Sequence, residues 1–231
     1  MKRSNNWRPK SCNSLIKSEF EQYVQHSAER TELLSELSEQ YDRFGAHWDL
    51  TTADIPGMIQ ASLDQQHSFW SGGDYHPYES LLEYANYGPE MIRSAFKDLL
   101  DENKDLVGRI DRFQFHLSWL ERNSQDPKHK KRPHYHTVST VIQYLSMSYP
   151  DRYLLYDPKA FASFLDRVGA KKDPNTPPLE RFFKVSRIVL KIITQHLENL
   201  TLESSLSEGF QKHPVILLSD FLGMAVEPRR K

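Results

Sequence analysis

From Ser14 onward, apolar residues recur every three or four positions: Leu15, Phe20, Val24, Leu33, Leu34, Leu37, Tyr41 and Phe44. Glu19, Glu21, Glu29, Glu32, Glu36 and Glu39 fill the spaces between them. A 3.6-residue turn gathers such positions on one side, so the pattern predicts one long acidic amphipathic helix or two shorter ones. Asp54 before Ile55-Pro56 marks the next helix start, since proline's missing N–H costs nothing in a first turn. Met58, Ile59 and Leu63 supply its buried side. Residues 70–77, Trp-Ser-Gly-Gly-Asp-Tyr-His-Pro, read as a turn.

Further helices are expected over 78–86 (Leu81, Leu82, Ala85), 89–101 (Met91, Ile92, Ala95, Phe96, Leu99, Leu100) and 105–121 (Leu106, Ile110, Phe113, Leu117, Leu120). Residues 123–133 are polar and proline-bounded, hence a loop. Helix resumes over 136–148 with Val138, Val141, Ile142 and Leu145 on one face. Tyr153 to Tyr156 reads as a strand of two to four residues, after which Asp157-Pro158 opens a helix running to Gly169. Phe182, Val185, Ile188, Val189, Ile192, Ile193, Leu197 and Leu200 form the strongest stripe of all, and a last helix covers about 215–225. The expected architecture is all-α: a multi-helix globular domain with a C-terminal helical hairpin packed on it, and at most one very short β element. Its boundaries are a disordered leader over 1–13, a helical domain over 14–169 and a linker over 170–178. The C-terminal helices over 179–226, of the same or a small second domain, and a tail over 227–231 complete it.

Composition agrees. Of 231 residues, 26 are leucine against nine valines and ten isoleucines, a balance that favours helix over sheet. The single cysteine, Cys12, excludes an intrachain disulfide framework and a cysteine-based zinc site. No signal peptide and no apolar run of about 20 residues is visible, so the chain reads as soluble and cytoplasmic, with no membrane partner. The formal net charge of −1 conceals an asymmetry. Residues 1–126 carry 13 Lys/Arg against 21 Asp/Glu, residues 127–191 carry 13 against 5, and residues 192–231 carry 4 against 5. A basic block between acidic ones favours an anionic partner.

Several chemistries are missing. There is no GxxxxGKS/T loop, no GxGxxG and no GxSxG, which removes the commonest NTPase, dinucleotide-dependent and serine-hydrolase readings. A nuclease-like acid followed by Asp/Glu-x-Lys occurs twice, as Asp98 with Glu102 and Lys104, and as Asp151 with Asp157 and Lys159, both at helix ends. His129, His134 and His136 lack a nearby carboxylate or cysteine to complete a metal site. No cofactor, metal or catalytic residue is assigned on this basis, and the chain is read as non-enzymatic.

Two basic features remain. Lys128, Lys130, Lys131 and Arg132 place four cations within five residues, followed by Tyr135 and His136. Arg181, Lys184, Arg187 and Lys191 lie within an arc of about 120° opposite the apolar stripe of their helix. Cations neutralise phosphates and aromatic rings stack on exposed bases, so the eight cations are candidate phosphate contacts, with Tyr135 and His136 candidates to approach a base.

Taken in order, residues 44–169 resemble a segment recurring at the N-terminal side of McrB-like restriction ATPases. The matching blocks run from His47-Trp48-Asp49-Leu50, Asp54 and Met58 through Trp70-Ser71-Gly72 to Pro77, then Tyr84-Ala85-Asn86 and Pro89-Glu90. They continue with Arg93, Phe96-Lys97-Asp98-Leu99, Asp101-Glu102, Asp105-Leu106, Arg109-Ile110 and Phe113. The last are His134-Tyr135-His136, Tyr144-Leu145, Tyr149-Pro150-Asp151-Arg152-Tyr153 and Tyr156. The family pattern more often carries glutamine where His136 stands. In such proteins the N-terminal region selects the target, often modified DNA, while a separate AAA+ domain hydrolyses nucleotide and recruits a nuclease. The resemblance therefore implies a DNA recognition module of a restriction or anti-phage defence system, with AAA+ ATPase and nuclease partners in trans. Because the chain carries no motor domain, it is read as a stand-alone subunit or a fragment. The alternatives are a helical adaptor docking an AAA+ or nuclease partner, and a metal-independent HEPN-like ribonuclease. The latter rests on Arg109 and His116, two turns apart, although Ile110 replaces the polar residue that usually follows such an arginine.

Overall fold

The computed structural model describes residues 12–26, 31–63, 77–123, 134–170, 177–197 and 213–223. Ten α-helices, and no strand, occur among them. They are α1 (Cys12–His26), α2 (Thr31–His47), α3 (Ile55–Ser62), α4 (Pro77–Tyr87), α5 (Pro89–Leu99), α6 (Leu106–Asn123), α7 (Val138–Ser148), α8 (Pro158–Arg167), α9 (Pro178–Leu197) and α10 (Pro214–Phe221). The protein is all-α. No helix is long and apolar enough to cross a membrane among the described residues.

Local chemistry sets the boundaries. Asp54 Oδ1 accepts the Gly57 N–H at 2.9 Å and Asp157 Oδ1 the Ala160 N–H at 2.7 Å, so each carboxylate satisfies a first-turn donor that the helix leaves open. Helix α8 ends in a paired motif: Ala170 N–H reaches back to Leu165 O at 2.9 Å and Gly169 N–H to Asp166 O at 3.2 Å. Closing that turn puts Gly169 at φ +65°, a left-handed conformation that glycine adopts without a Cβ penalty. The first helix begins at Cys12, inside the segment expected to be loose, and the expected tail lies outside the described residues, as does all but the last residue of the turn at 70–77.

The short strand expected over 153–156 is instead an irregular crossing between α7 and α8. None of the described residues pairs with it as a strand. Leu154 and Leu155 are buried, and the Leu155 N–H finds the Ser219 hydroxyl of α10 at 2.9 Å.

One cluster of buried side chains runs from Ile16 of α1 to Leu222 after α10. Its aromatic centre stacks Trp48 on Phe44 at 4.6 Å between centroids, and Phe96 lies edge-on to Trp48, Phe113 and Tyr144 at 4.7, 4.8 and 5.0 Å. Helix α9 packs on α1, and α10 packs on α2. Both C-terminal helices are thus seated on the N-terminal ones.

Candidate nucleic-acid interface

The stripe on α9 is solvent-facing. Phe182, Phe183, Ser186, Val189, Ile192 and Ile193 turn inward, leaving Lys184, Arg187 and Lys191 exposed and Arg181 half-buried. Lys184, Arg187 and Lys191 form no ion pair among the described residues. From Arg181 to Lys191 the stripe measures about 15 Å at 1.5 Å per residue, about four base-pair steps of about 3.4 Å along a duplex axis. Glu180 stands at its N-terminal end and Ile188, 52% exposed, in its middle. The loop cations Lys128, Lys130, Lys131 and Arg132 lie outside the described residues, as does His129.

The histidine group is a packing device. His136 is fully buried, which corrects the expectation that it approaches a base. Its Nδ1–H donates to the His134 carbonyl and its Nε2 accepts the Tyr144 hydroxyl at 3.0 Å, so a neutral imidazole satisfies both neighbours. His134 Nδ1 accepts the His136 backbone N–H at 3.0 Å, leaving Nε2–H for Ser118 Oγ at 3.1 Å. Gln114 donates to the His136 carbonyl at 2.8 Å and Ser80 to the His134 carbonyl at 2.8 Å. The segment therefore pins α4, α6 and α7 together. Burial holds the His134 imidazole below its ordinary range and pushes that of His136 down to about 3. Tyr135, between them, is half-buried at φ +58°, a left-handed backbone that a tyrosine rarely adopts. It stands near Tyr84, a neighbourhood that helps raise the Tyr84 phenol after burial and Glu121 have done so.

Arg109 is also structural, being 2% exposed. Its Nη1 donates to Leu99 O and Glu102 Oε1, both at 2.7 Å, and its Nη2 to Tyr153 Oη at 3.1 Å. Tyr153 in turn donates to Glu102 at 2.8 Å, and Arg152 joins the same carboxylate from outside at 3.2 Å. Burial works to raise the Glu102 carboxyl, but the Tyr153 and Arg109 hydrogen bonds outweigh it and hold it below the usual carboxylate range. A guanidinium used in this way does not reach a phosphate outside, and His116 stands half-buried two turns along α6. The nuclease-like pairs are likewise occupied: Lys104 bonds Asp98, Arg112 bonds Asp98 at 2.7 Å, and Asp157 caps α8. No group of three metal-ligating side chains forms among the described residues.

The stripe reading of α6 passes over Phe115 and Trp119, which are 60% and 39% exposed. Both lie opposite the buried row Ile110, Phe113, Leu117 and Leu120, and their off-stripe position on a helical wheel is the signal that finds them. Neither a protein-family model, nor a curated protein, nor a solved structure matches this chain.

Proposed function

We propose that this chain is a non-catalytic nucleic-acid recognition module of a McrB-like restriction or anti-phage defence system, modified DNA being its expected target. What supports the reading is the row of cations Lys184, Arg187 and Lys191 along one exposed side of α9, which form no ion pair among the described residues. Three exposed cations in line at a helical spacing give that side of α9 a positive potential, which attracts a phosphate backbone. The resemblance carried by the ordered blocks from His47 to Tyr156 adds the restriction context, with an AAA+ ATPase and a nuclease as partners in trans. Reading a flipped modified base would further require an aromatic-lined pocket.

Duplex affinity measured across a salt series tests it. Each phosphate contact steepens the salt dependence by about one unit of log K per log salt, so Lys184→Glu, Arg187→Glu and Lys191→Glu together should flatten the slope by about 2 to 3 and weaken binding at least tenfold, about 1.4 kcal/mol. Binding that ignores salt, or a triple variant indistinguishable from the parent, removes the phosphate reading and leaves the helical adaptor.

A further inference from the structure

We infer that the outward side of α6 is a stacking platform for single-stranded nucleic acid, on which Phe115 and Trp119 each receive an unstacked base. The inference rests on the nucleic-acid reading above and adds the form of the ligand and a second contact face.

Phe115 and Trp119 are separated by four residues, so their Cα atoms lie about 6 Å apart along the helix axis, on one side of α6. That spacing exceeds the 3.4 Å rise of stacked DNA and suits successive bases pulled apart along an extended strand. A duplex hides its base faces and has nothing to lay on such rings. Exposed aromatic area of this size on a helix that already buries a full apolar row is not needed for folding. Arg112 and Arg122 flank the rings on the same side. Arg112 holds Asp98 through Nε, and Arg122 donates through Nε to Ser118 O at 3.0 Å, which props its guanidinium along the helix beside Trp119. Asp111 is the one acidic residue among these exposed positions of α6.

Charge also favours a polyanion at this end of the molecule. Both anchors of the segment 124–133 sit beside the rings: Asn123 ends α6, where its carbonyl accepts the Tyr87 hydroxyl at 3.1 Å, and His134 bonds Ser118, the residue before Trp119. By sequence that segment contains four cations and one acid. It lies outside the described residues and forms no part of the proposed platform. A protein partner would meet the same rings with no comparable use for the surrounding cations.

The test titrates the full chain with oligo-dT, oligo-rU and a duplex of equal length. Phe115→Ala and Trp119→Ala should each weaken binding to both single strands by about five- to a hundredfold, the range of one lost base stack, and leave duplex binding unchanged. Trp119→Phe and Phe115→Tyr, which keep the rings, should retain it. Trp119 emission should be quenched on adding oligo-dT, with the quench lost in Trp119→Phe. Parent-like single-strand affinity in the folded double alanine variant, with duplex binding intact, overturns the platform and spares the α9 reading. Failure of the parent chain to bind any of the three ligands removes both. Self-association of the parent that Trp119→Ala abolishes assigns the face to a second copy and also overturns the platform.

Discussion

His136 shows how one side chain can belong to a structure for its neutrality. With Nδ1–H given to the His134 carbonyl and Nε2 taken up by Tyr144, a proton added to Nε2 would set two donors against each other in a site without water-facing surface. The folded imidazole therefore binds a proton only near pH 3, whereas the unfolded one does so near its ordinary 6.5. Between those values the unfolded state holds the extra proton, so stability is full above about 6.5 and falls as pH drops toward 3, by at most about 1.4 kcal/mol per pH unit. His136→Gln keeps a donor for His134 and an acceptor for Tyr144 without a titrating nitrogen. Denaturant melts from pH 7 to 4 should lose less stability in that variant than in the parent; parallel curves would show that His136 is not the group responsible. Glu102, Asp98 and Asp101, whose carboxyls are held low, add their own loss only further into acid, as pH falls through their folded values.

At the level of the element, the turn chemistry can be tested where it is most demanding. A Cβ on Gly169 would meet nothing closer than Leu15 Cδ1 at 4.0 Å, so the expense of Gly169→Ala is almost wholly the left-handed backbone, about 1–2 kcal/mol. Thermal melts should show that loss, and an unchanged midpoint would mean that α8 ends differently. The helices themselves were legible because caps, prolines and apolar rows agree at each: Asp54, Pro89 and Asp157 place three starts within a residue or two. The crossing over 153–157 was not, since Tyr-Leu-Leu-Tyr has the composition of a strand and only the position of Ser219, 64 residues away, shows that its backbone bonds elsewhere. The site was half legible. The α9 cations follow from periodicity alone, and Phe115 and Trp119 stand in plain view off the α6 row. His136 was misread because its surroundings in sequence are a basic loop, whereas its surroundings in space are Phe113 and Tyr144, contributed by two helices. Several residues of the ordered blocks from His47 to Tyr156 are framework of this kind. Trp48 and Phe96 fill the aromatic centre, and Arg93 ties the carbonyls of Leu50 and Thr52 to α5.

Across the whole molecule the acidic and basic blocks of the sequence partly cancel. Arg152 meets Glu102 and Arg167 meets Glu19 at 3.4 Å, each pairing a cation of the basic block with an acid of the acidic one. The positive residues that survive this cancellation on α9 are those assigned to phosphate. The same long-range closure joins the ends of the fold: Tyr23 donates to Asp220 at 2.7 Å, His213 meets Asp42 at 3.1 Å, and Phe221 lies edge-on to Phe20 and Phe164. A chain stopped after residue 212 lacks all of these and leaves Phe20 and Phe164 uncovered. It should bind a hydrophobic dye and melt without a sharp transition, while a sharp melt at the parental midpoint would show that α10 is dispensable.

Helix α2 meets α3 and α7 as well as α10, but α1 packs chiefly on α9, so its inward side waits until Pro178–Leu197 has left the ribosome. At about 5–20 residues per second that delay lasts on the order of ten seconds or more, during which Ile16 and Phe20 of α1 are open to any chaperone or neighbour nearby. The seating of α9 on α1 makes the emergence of α9 the step that covers α1.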